Sequence, residues 1–235
     1  MTPTDVAQAK EHLEPVFRSW KLFHPGKDWR CASESQIAQA ESVIGRRLPV
    51  ELRVLYKFAH GFGVVGNNLC INRLTPGTES MSLTENFRKL PKWGWPIPDE
   101  LLVFGGNGGD ELFGIWVPRG SRDDDPHPVI SVGAIFEPGS FAVAGTELCR
   151  FLLGWTAMYA RSYVWDGEAD AAALRELGMP LDLSRKRKGD ALSQKGIREI
   201  FRWADPSLAE PPNPYGQRLT AERLRKQFGS GAKRS

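Results

Sequence analysis

The spacing of the apolar residues changes twice along this chain, and these changes restrict the fold more than any other feature. Up to residue 61 the apolar residues recur every three or four positions, as on one face of a helix. Short apolar runs separated by Gly, Pro and Asn follow, and from residue 147 the helical spacing returns. The order predicts an α+β protein with an antiparallel or mixed sheet flanked by helices.

The middle of the chain supplies the candidate strands. They are residues 69–71, 101–104, 111–117, 129–132, 134–136 and 141–144, nearly all separated by turn residues. A helix at 147–163 is expected to cover the resulting sheet. Three further helices are predicted at 170–177, 194–203 and 220–228, joined by polar, basic or proline-rich linkers.

Local signals mark the ends of the first helices. Pro15 must kink or divide the opening helix because it lacks a backbone N–H and clashes with the preceding turn. Ser33 and Gln36 form a capping-box pattern, which predicts a helix start at that point. Pro49 fits the first position of the next helix, and Gly61 is placed to end that helix in a left-handed conformation.

The positive charge of the chain is concentrated at its C-terminal end. Residues 181–235 hold 13 Lys or Arg and 6 Asp or Glu, whereas residues 1–180 hold 18 and 22. The run Arg185 to Lys188 is interpreted as a solvated linker or as a contact with nucleic acid or an acidic protein. The slight negative balance of the body would suit a basic partner such as a nuclease.

The cysteines and the apolar runs predict a cytoplasmic protein. Cys31, Cys70 and Cys149 are odd in number and widely spaced, which fits reduced, buried thiols better than a disulfide framework. The N-terminus lacks the basic and apolar regions of a secretory signal. The most apolar helical run, 151–160, is too short to cross a bilayer, so no membrane contact is expected.

No motif in the sequence points to catalysis, a cofactor or a metal. The glycine-rich stretch 105–110 lacks the Lys-Ser or Lys-Thr ending of a phosphate-binding loop and is interpreted as a hairpin turn closed by Asp110. The histidines, which are His12, His24, His60 and His127, show no metal-ligand spacing to one another or to a cysteine. An imidazolium at His60 would complement a helix C-terminus. Asp123 to Asp125 is read as a solvated loop.

Four residues are candidates for contact with a partner. Trp93 and Trp95 occupy a proline-bounded loop, and tryptophan is enriched at binding hot spots. The alternative, which the sequence favours slightly, is that this loop packs on the sheet as a lid. Asp110 and Trp116, in the glycine-rich turn and in the strand after it, complete the set.

Three stretches in this order resemble the SUKH superfamily of immunity and regulatory proteins. The first is ASESQIAQAESVIGRRLPVELRVLYKFAHGFG at 32–63, and the second is LLVFGGNGGDELFGIWV at 101–117, with Asp110 as the matching aspartate. The third is the pairing of a strand near Val129 with the helix at 147–163. The resemblance covers roughly residues 30–163 and implies a SUKH-like fold that acts by binding proteins.

The resemblance favours a non-catalytic protein-binding module, and within that class an immunity protein that neutralises a cognate toxin. A regulatory or assembly scaffold, or a nucleic-acid accessory protein that uses the basic tail, are the alternatives. We expect residues 1–29 to form an N-terminal helical segment of the same domain, 30–165 the SUKH-like core, and 166–235 a basic helical extension.

Overall fold

The computed structural model describes residues 3–61, 69–76, 82–91, 96–108, 111–122, 125, 127–133, 140–162, 167–180, 193–208 and 218–229. These residues contain eight helices and six strands, so the predicted α+β class is confirmed. The helices are α1 (Pro3–Phe23), α2 (Glu34–Ile44), α3 (Val50–Phe58), α4 (Leu83–Lys89), α5 (Leu148–Ser162), α6 (Gly167–Glu176), α7 (Gln194–Ala204) and α8 (Ala221–Phe228). The strands are β1 (Cys70–Ile71), β2 (Leu101–Gly106), β3 (Glu111–Trp116), β4 (Val129–Gly133), β5 (Ser140–Gly145) and β6 (Leu219–Thr220).

The strands form one sheet in chain order, and each pairing within it is antiparallel. The register aligns Leu102 with Ile115 and Phe113 with Ser131. Five predicted strands correspond to β1 to β5, whereas the predicted strand at 134–136 lies outside the described residues. The sequence did not predict β6, which is only two residues long.

One face of the sheet packs against a helical layer. Phe104 and Phe113 point from β2 and β3 toward Phe151 on α5, with ring centroids 6.3 and 4.9 Å from that of Phe151. Helix α1 packs against α3 and α5, and the indole Nε1 of Trp20 donates a 2.9 Å hydrogen bond to Oγ1 of Thr156. Burial of these large apolar side chains is the main stabilising contribution on this side.

The opposite face of the sheet is also apolar, and the C-terminal end of the chain covers it. Its buried cluster contains Leu101, Val103, Trp116, Ile130, Val132 and Phe141 from the sheet, with Leu90, Ile97, Leu219 and Leu224 from outside the four central strands. Strand β6 pairs with β5 and leads directly into α8. Arg225 on α8 donates to both carboxylate oxygens of Glu100, at 2.8 and 3.1 Å. Residues 218–229 are therefore part of the fold.

The predicted helix ends are mostly confirmed. Ser33 and Gln36 form a capping box, and Gly45 ends α2 with φ 77°. Pro49 is the N-cap of α3, one position before the predicted one. Helix α3 ends at Phe58, before Gly61, which adopts φ 67° in the following turn.

The opening helix and the late helices predicted from the sequence are present in the structure. Helix α1 runs through Pro15 without division. The late helices at 147–163, 170–177, 194–203 and 220–228 correspond to α5, α6, α7 and α8. The division of the chain into core and extension stays a prediction. None of the described helices has the length and apolar character that a membrane span requires.

The interpretation of His60 as an imidazolium at the end of α3 was wrong. Burial and the nearby charges of Arg73 and Arg30 lower the pKa of His60, so the fold favours the neutral ring. The Nε2 atom is buried and has no hydrogen-bond partner among the described residues.

We expect Leu224→Ala to reduce the free energy of unfolding by about 2–5 kcal/mol, because it removes a fully buried side chain between α8 and the sheet. Leu22→Ala is the matched control, since Leu22 is 38% exposed and its loss should cost less than about 0.5 kcal/mol. Urea unfolding of the purified variants measures both. Equal stabilities would show that α8 does not cover the sheet in solution.

We expect the stability of the chain to fall as the pH drops below about 6.5, the ordinary pKa of histidine, because the folded state binds fewer protons at His60 than the unfolded state does. The variant His60→Gln should lose less stability between pH 7.5 and 5.5. Part of the loss should persist because the pKa of His24 is also lowered by burial. Identical pH dependence in urea unfolding of both proteins would contradict this assignment.

Candidate functional site

Two adjoining clefts of opposite charge lie beside the start of α3, and Pro49 and His127 line both of them. The larger has a volume of about 530 Å³. Its charged residues are Arg46, Arg47, Asp99, Arg119 and Arg122, and we call it the arginine cleft. The smaller has a volume of about 270 Å³ and carries the carboxylates of Asp5, Glu51, Asp125 and Glu147, and we call it the acidic cleft.

Arg46 forms the floor of the arginine cleft. It directly follows Gly45, whose left-handed conformation ends α2 and turns the chain toward the sheet. Its Nη1 donates a 2.8 Å hydrogen bond to the carbonyl of Val117, and its Nη2 donates to the carbonyl of Asp99. The Phe87 ring lies 6.0 Å from the guanidinium carbon. These contacts hold the positive charge in one position.

The environment of Arg46 contains few compensating negative charges. Burial lowers the pKa of Arg46, opposed by the attraction of Glu100 and Asp99. The carboxylate of Glu100 already pairs with Arg225. The Nε atom of Arg46 is buried and has no hydrogen-bond partner among the described residues. Arg46 therefore offers both a fixed charge and an unused donor.

The loop after β3 forms the wall of the arginine cleft. The hydroxyl of Ser121 donates a 2.7 Å hydrogen bond to the carbonyl of Pro118 and lies 3.2 Å from Nε2 of His127. The backbone N–H of Arg122 donates to the Asp125 carboxylate at 2.9 Å. His127 is buried, and its Nδ1 contacts the carbonyl of Asp125. The His127 imidazole thus contacts the loop at both Ser121 and Asp125 and helps to hold it in place.

The rim of the arginine cleft is open to solvent. Arg119 is 81% exposed in its side chain and pairs with the carboxylate of Asp99 at 3.2 Å. Arg47 and Arg122 are also exposed. The described lining residues carry four guanidinium groups and one carboxylate. Because a guanidinium binds a carboxylate through two parallel hydrogen bonds, this arrangement suits acidic side chains of a partner.

The acidic cleft is built around the first turn of α3. Glu51 in that turn accepts a 2.9 Å hydrogen bond from the backbone N–H of Leu148 and so caps the start of α5. Burial raises the pKa of the Glu51 carboxyl above its usual range. Glu147, just before α5, pairs with Arg150 at 3.3 Å. The carboxylates therefore face one another across a partly buried space.

A cysteine and a histidine complete this group of ligand-type side chains. A nitrogen of His12, a carboxylate oxygen of Glu51 and Sγ of Cys149 all lie within 4.8 Å of one another. The Cys149 thiol also donates to Oε2 of Glu147 at 3.5 Å. Burial and the two carboxylates raise the pKa of Cys149, which keeps it a thiol in the absence of a cation.

Of the four residues proposed from the sequence as partner contacts, the structure describes Trp116, which lines neither cleft. Trp93, Trp95 and Asp110 lie outside the described residues, as does the basic run Arg185 to Lys188. Trp116 has 0% exposure and packs in the apolar cluster between the sheet and α8. Its indole is enclosed by the folded chain, and the partner-binding role of all four stays a prediction.

The glycine-rich stretch has a structural explanation in its described part. It continues β2 toward β3, and these two strands pair as an antiparallel hairpin. A Cβ on Gly105 would lie 2.2 Å from the carbonyl oxygen of Cys70, so β1 could not approach a larger residue this closely. Of the aspartate run 123–125, only Asp125 is described, and it accepts from the backbone of Arg122.

Sequence reasoning did not identify the arginine cleft. The sequence does contain two pairs of arginines that could have indicated it. One pair follows Gly45, and the other lies on either side of a Gly-Ser turn at 119–122. These two segments are about 70 residues apart in the chain. Only the fold, through Arg46 and Val117, brings them to one surface.

We expect Arg46→Ala to lower the free energy of unfolding by about 2–3 kcal/mol, because the carbonyls of Val117 and Asp99 lose a charged donor. Arg119→Ala removes an exposed ion pair from the same cleft and should cost less than about 1 kcal/mol. Chemical unfolding of both variants checks the difference. If the two losses are the same, Arg46 does not hold the cleft together.

The comparisons with known proteins concern the same part of the chain. Residues 31–141, just under half of the chain, match the SMI1 / KNR4 family (SUKH-1). No curated protein matches the chain. The matched stretch includes the four arginines of the arginine cleft as well as Glu51, whereas His12 and Cys149 lie on either side of it. The match over residues 31–141 confirms the resemblance to the SUKH superfamily for this part of the chain.

Proposed function

We propose that this chain is a non-catalytic protein-binding module that neutralises a cognate toxin by direct binding, with the arginine cleft as the contact surface for an acidic segment of that partner. The observation that carries the proposal is that the described lining residues of this braced surface, all within the family-matched stretch, include four arginines and one aspartate. The SUKH resemblance supports the protein-binding role.

The construction of the cleft favours recognition without rearrangement. Arg46 is held by two backbone carbonyls and Phe87, and the loop after β3 is held by Ser121 and His127. A surface that is ordered before binding loses less conformational entropy when a partner docks. A stoichiometric inhibitor benefits from this, since its action depends on affinity and not on turnover.

The charges of the arginine cleft would act first while the partner approaches and again when the two proteins are in contact. The exposed Arg47, Arg119 and Arg122 create a positive potential that speeds the approach of an acidic segment, and salt screens this effect. At contact, the guanidinium groups can form paired hydrogen bonds with carboxylates. The expected partner surface is therefore acidic at its contact point, whatever the net charge of the whole toxin, a nuclease included.

The alternative within the same family is a regulatory or assembly role. The exposed arginines of α7 and α8, such as Arg202 and Arg223, lie outside the arginine cleft and give the chain further positive groups for contact with another protein or with nucleic acid. The proposed location is the cytoplasm, as expected from the free cysteines.

The test is co-expression of the chain with the toxin encoded beside it in its genome. We expect restored growth, and a purified complex whose affinity falls as the salt concentration rises. The double variant Arg47→Glu/Arg119→Glu should bind roughly 10- to 100-fold more weakly, because like charges then face each other. Isothermal titration measures the affinity, and growth measures protection.

The matched control is Lys195→Glu/Arg202→Glu on α7, which changes the net charge equally at exposed positions away from the cleft. This control should bind as the parent does. An equal loss in both variants would mean that only net charge matters. The absence of any toxin gene beside this one, or a failure to restore growth, would count against the immunity role and favour regulation.

A further inference from the structure

The acidic cleft brings together three side chains that the linear sequence keeps far apart. His12 comes from α1, Glu51 from α3 and Cys149 from α5, and their ligand atoms all lie within 4.8 Å of one another. The three elements pack directly on each other, so the positions of the three backbones are fixed by the core.

The three donor types are those that zinc selects. Zinc binds imidazole nitrogen, thiolate sulfur and carboxylate oxygen, in most sites with four ligands. Bond lengths of about 2.0–2.3 Å place neighbouring ligands of a tetrahedral site roughly 3.3–3.8 Å apart. The present separations, at most 4.8 Å, exceed these distances by no more than roughly 1.0–1.5 Å. His12 is exposed on α1, and rotation of its side chain can close that gap.

The surroundings favour a cation at this point. Glu147 lies 3.5 Å from Sγ of Cys149 and offers a second carboxylate to the fourth position. The carboxylates of Asp5 and Asp125 line the same cleft, which opens to solvent and so provides a path of entry. Several negative groups in a partly buried space repel one another, and a divalent cation would relieve that repulsion.

Without a cation, the protonated Cys149 thiol is linked to the neighbouring carboxylates by hydrogen bonds. Cys149 is a thiol that donates to Glu147 and contacts Glu51, because burial and both carboxylates oppose its ionisation. Binding of zinc would replace the thiol proton, so that Cys–SH and Zn²⁺ give a zinc thiolate and one released proton. The oxidation state of sulfur and zinc does not change in this step.

We propose that His12, Glu51 and Cys149 form a zinc site, with Glu147 in reach of the fourth position. The site would join α1 to α3 and α5, and so tie the N-terminal helix to the family-matched stretch. Because His12 and Cys149 lie outside residues 31–141, the site does not follow from the family match, and it does not depend on the proposed function.

Cobalt provides the direct test, because a thiolate bound to Co²⁺ gives a charge-transfer absorption band and four-coordinate Co²⁺ has intense visible bands. The purified full-length chain, treated with a chelator and a reductant, should show both bands on titration with Co²⁺, and zinc should displace them. Zinc should also raise the melting temperature, since it binds the folded state.

Variants separate the proposed site from other binding. Cys149→Ser should abolish the charge-transfer band, and His12→Ala should weaken zinc binding at least roughly tenfold. His12 is exposed, so its variant is expected to fold normally even if Cys149→Ser does not. The control Cys31→Ser changes an exposed thiol away from the cleft and should leave the band unchanged. No band in the parent chain, or a band that survives Cys149→Ser or is lost in Cys31→Ser, would overturn the proposal.

Discussion

The structure depends on one constraint, which is that both faces of the six-stranded sheet are apolar and both must be covered. Phe104 and Phe113 belong to one face and Val103 and Trp116 to the other, because side chains alternate along a strand. Helices α1, α3 and α5 cover the first face, and α8 covers the second. Helices α1 and α8 thus both contribute side chains to the core.

The clefts follow from the way these layers meet. Where α2 turns into α3, the chain passes close to the end of β3, and Arg46 makes the connection by donating to the carbonyl of Val117. The side of α3 that faces α1 and α5 carries Glu51, which caps α5 through Leu148. Basic and acidic groups are therefore separated by the same short helix, with Pro49 between them. This separation places two clefts of opposite charge next to each other.

Local patterns in the sequence predicted much of the fold. The capping box at Ser33 and the strands around Phe104 and Phe113 depend on neighbours in the chain, and the structure confirms them. Strand β6 was missed because two residues carry no period and gain their conformation by pairing with β5. The charge state of His60 was misjudged because burial and the distant Arg73 oppose protonation. The two clefts could not be predicted from the sequence, because only tertiary contacts bring Arg46 to Val117 and His12 to Cys149.

The pairing of β6 with β5 has a consequence for how the chain is made. Ribosomes deliver the N-terminal end first, so β2 to β5 and α5 can assemble while residues 219–228 are still inside the exit tunnel. During that interval β6 and α8 do not yet cover the face that carries Val103, Trp116 and Phe141. Its apolar side chains can then contact chaperones or other nascent chains. Emergence of residues 219–228 from the ribosome, rather than pairing of β2 to β5, is therefore the step that buries this face and limits aggregation.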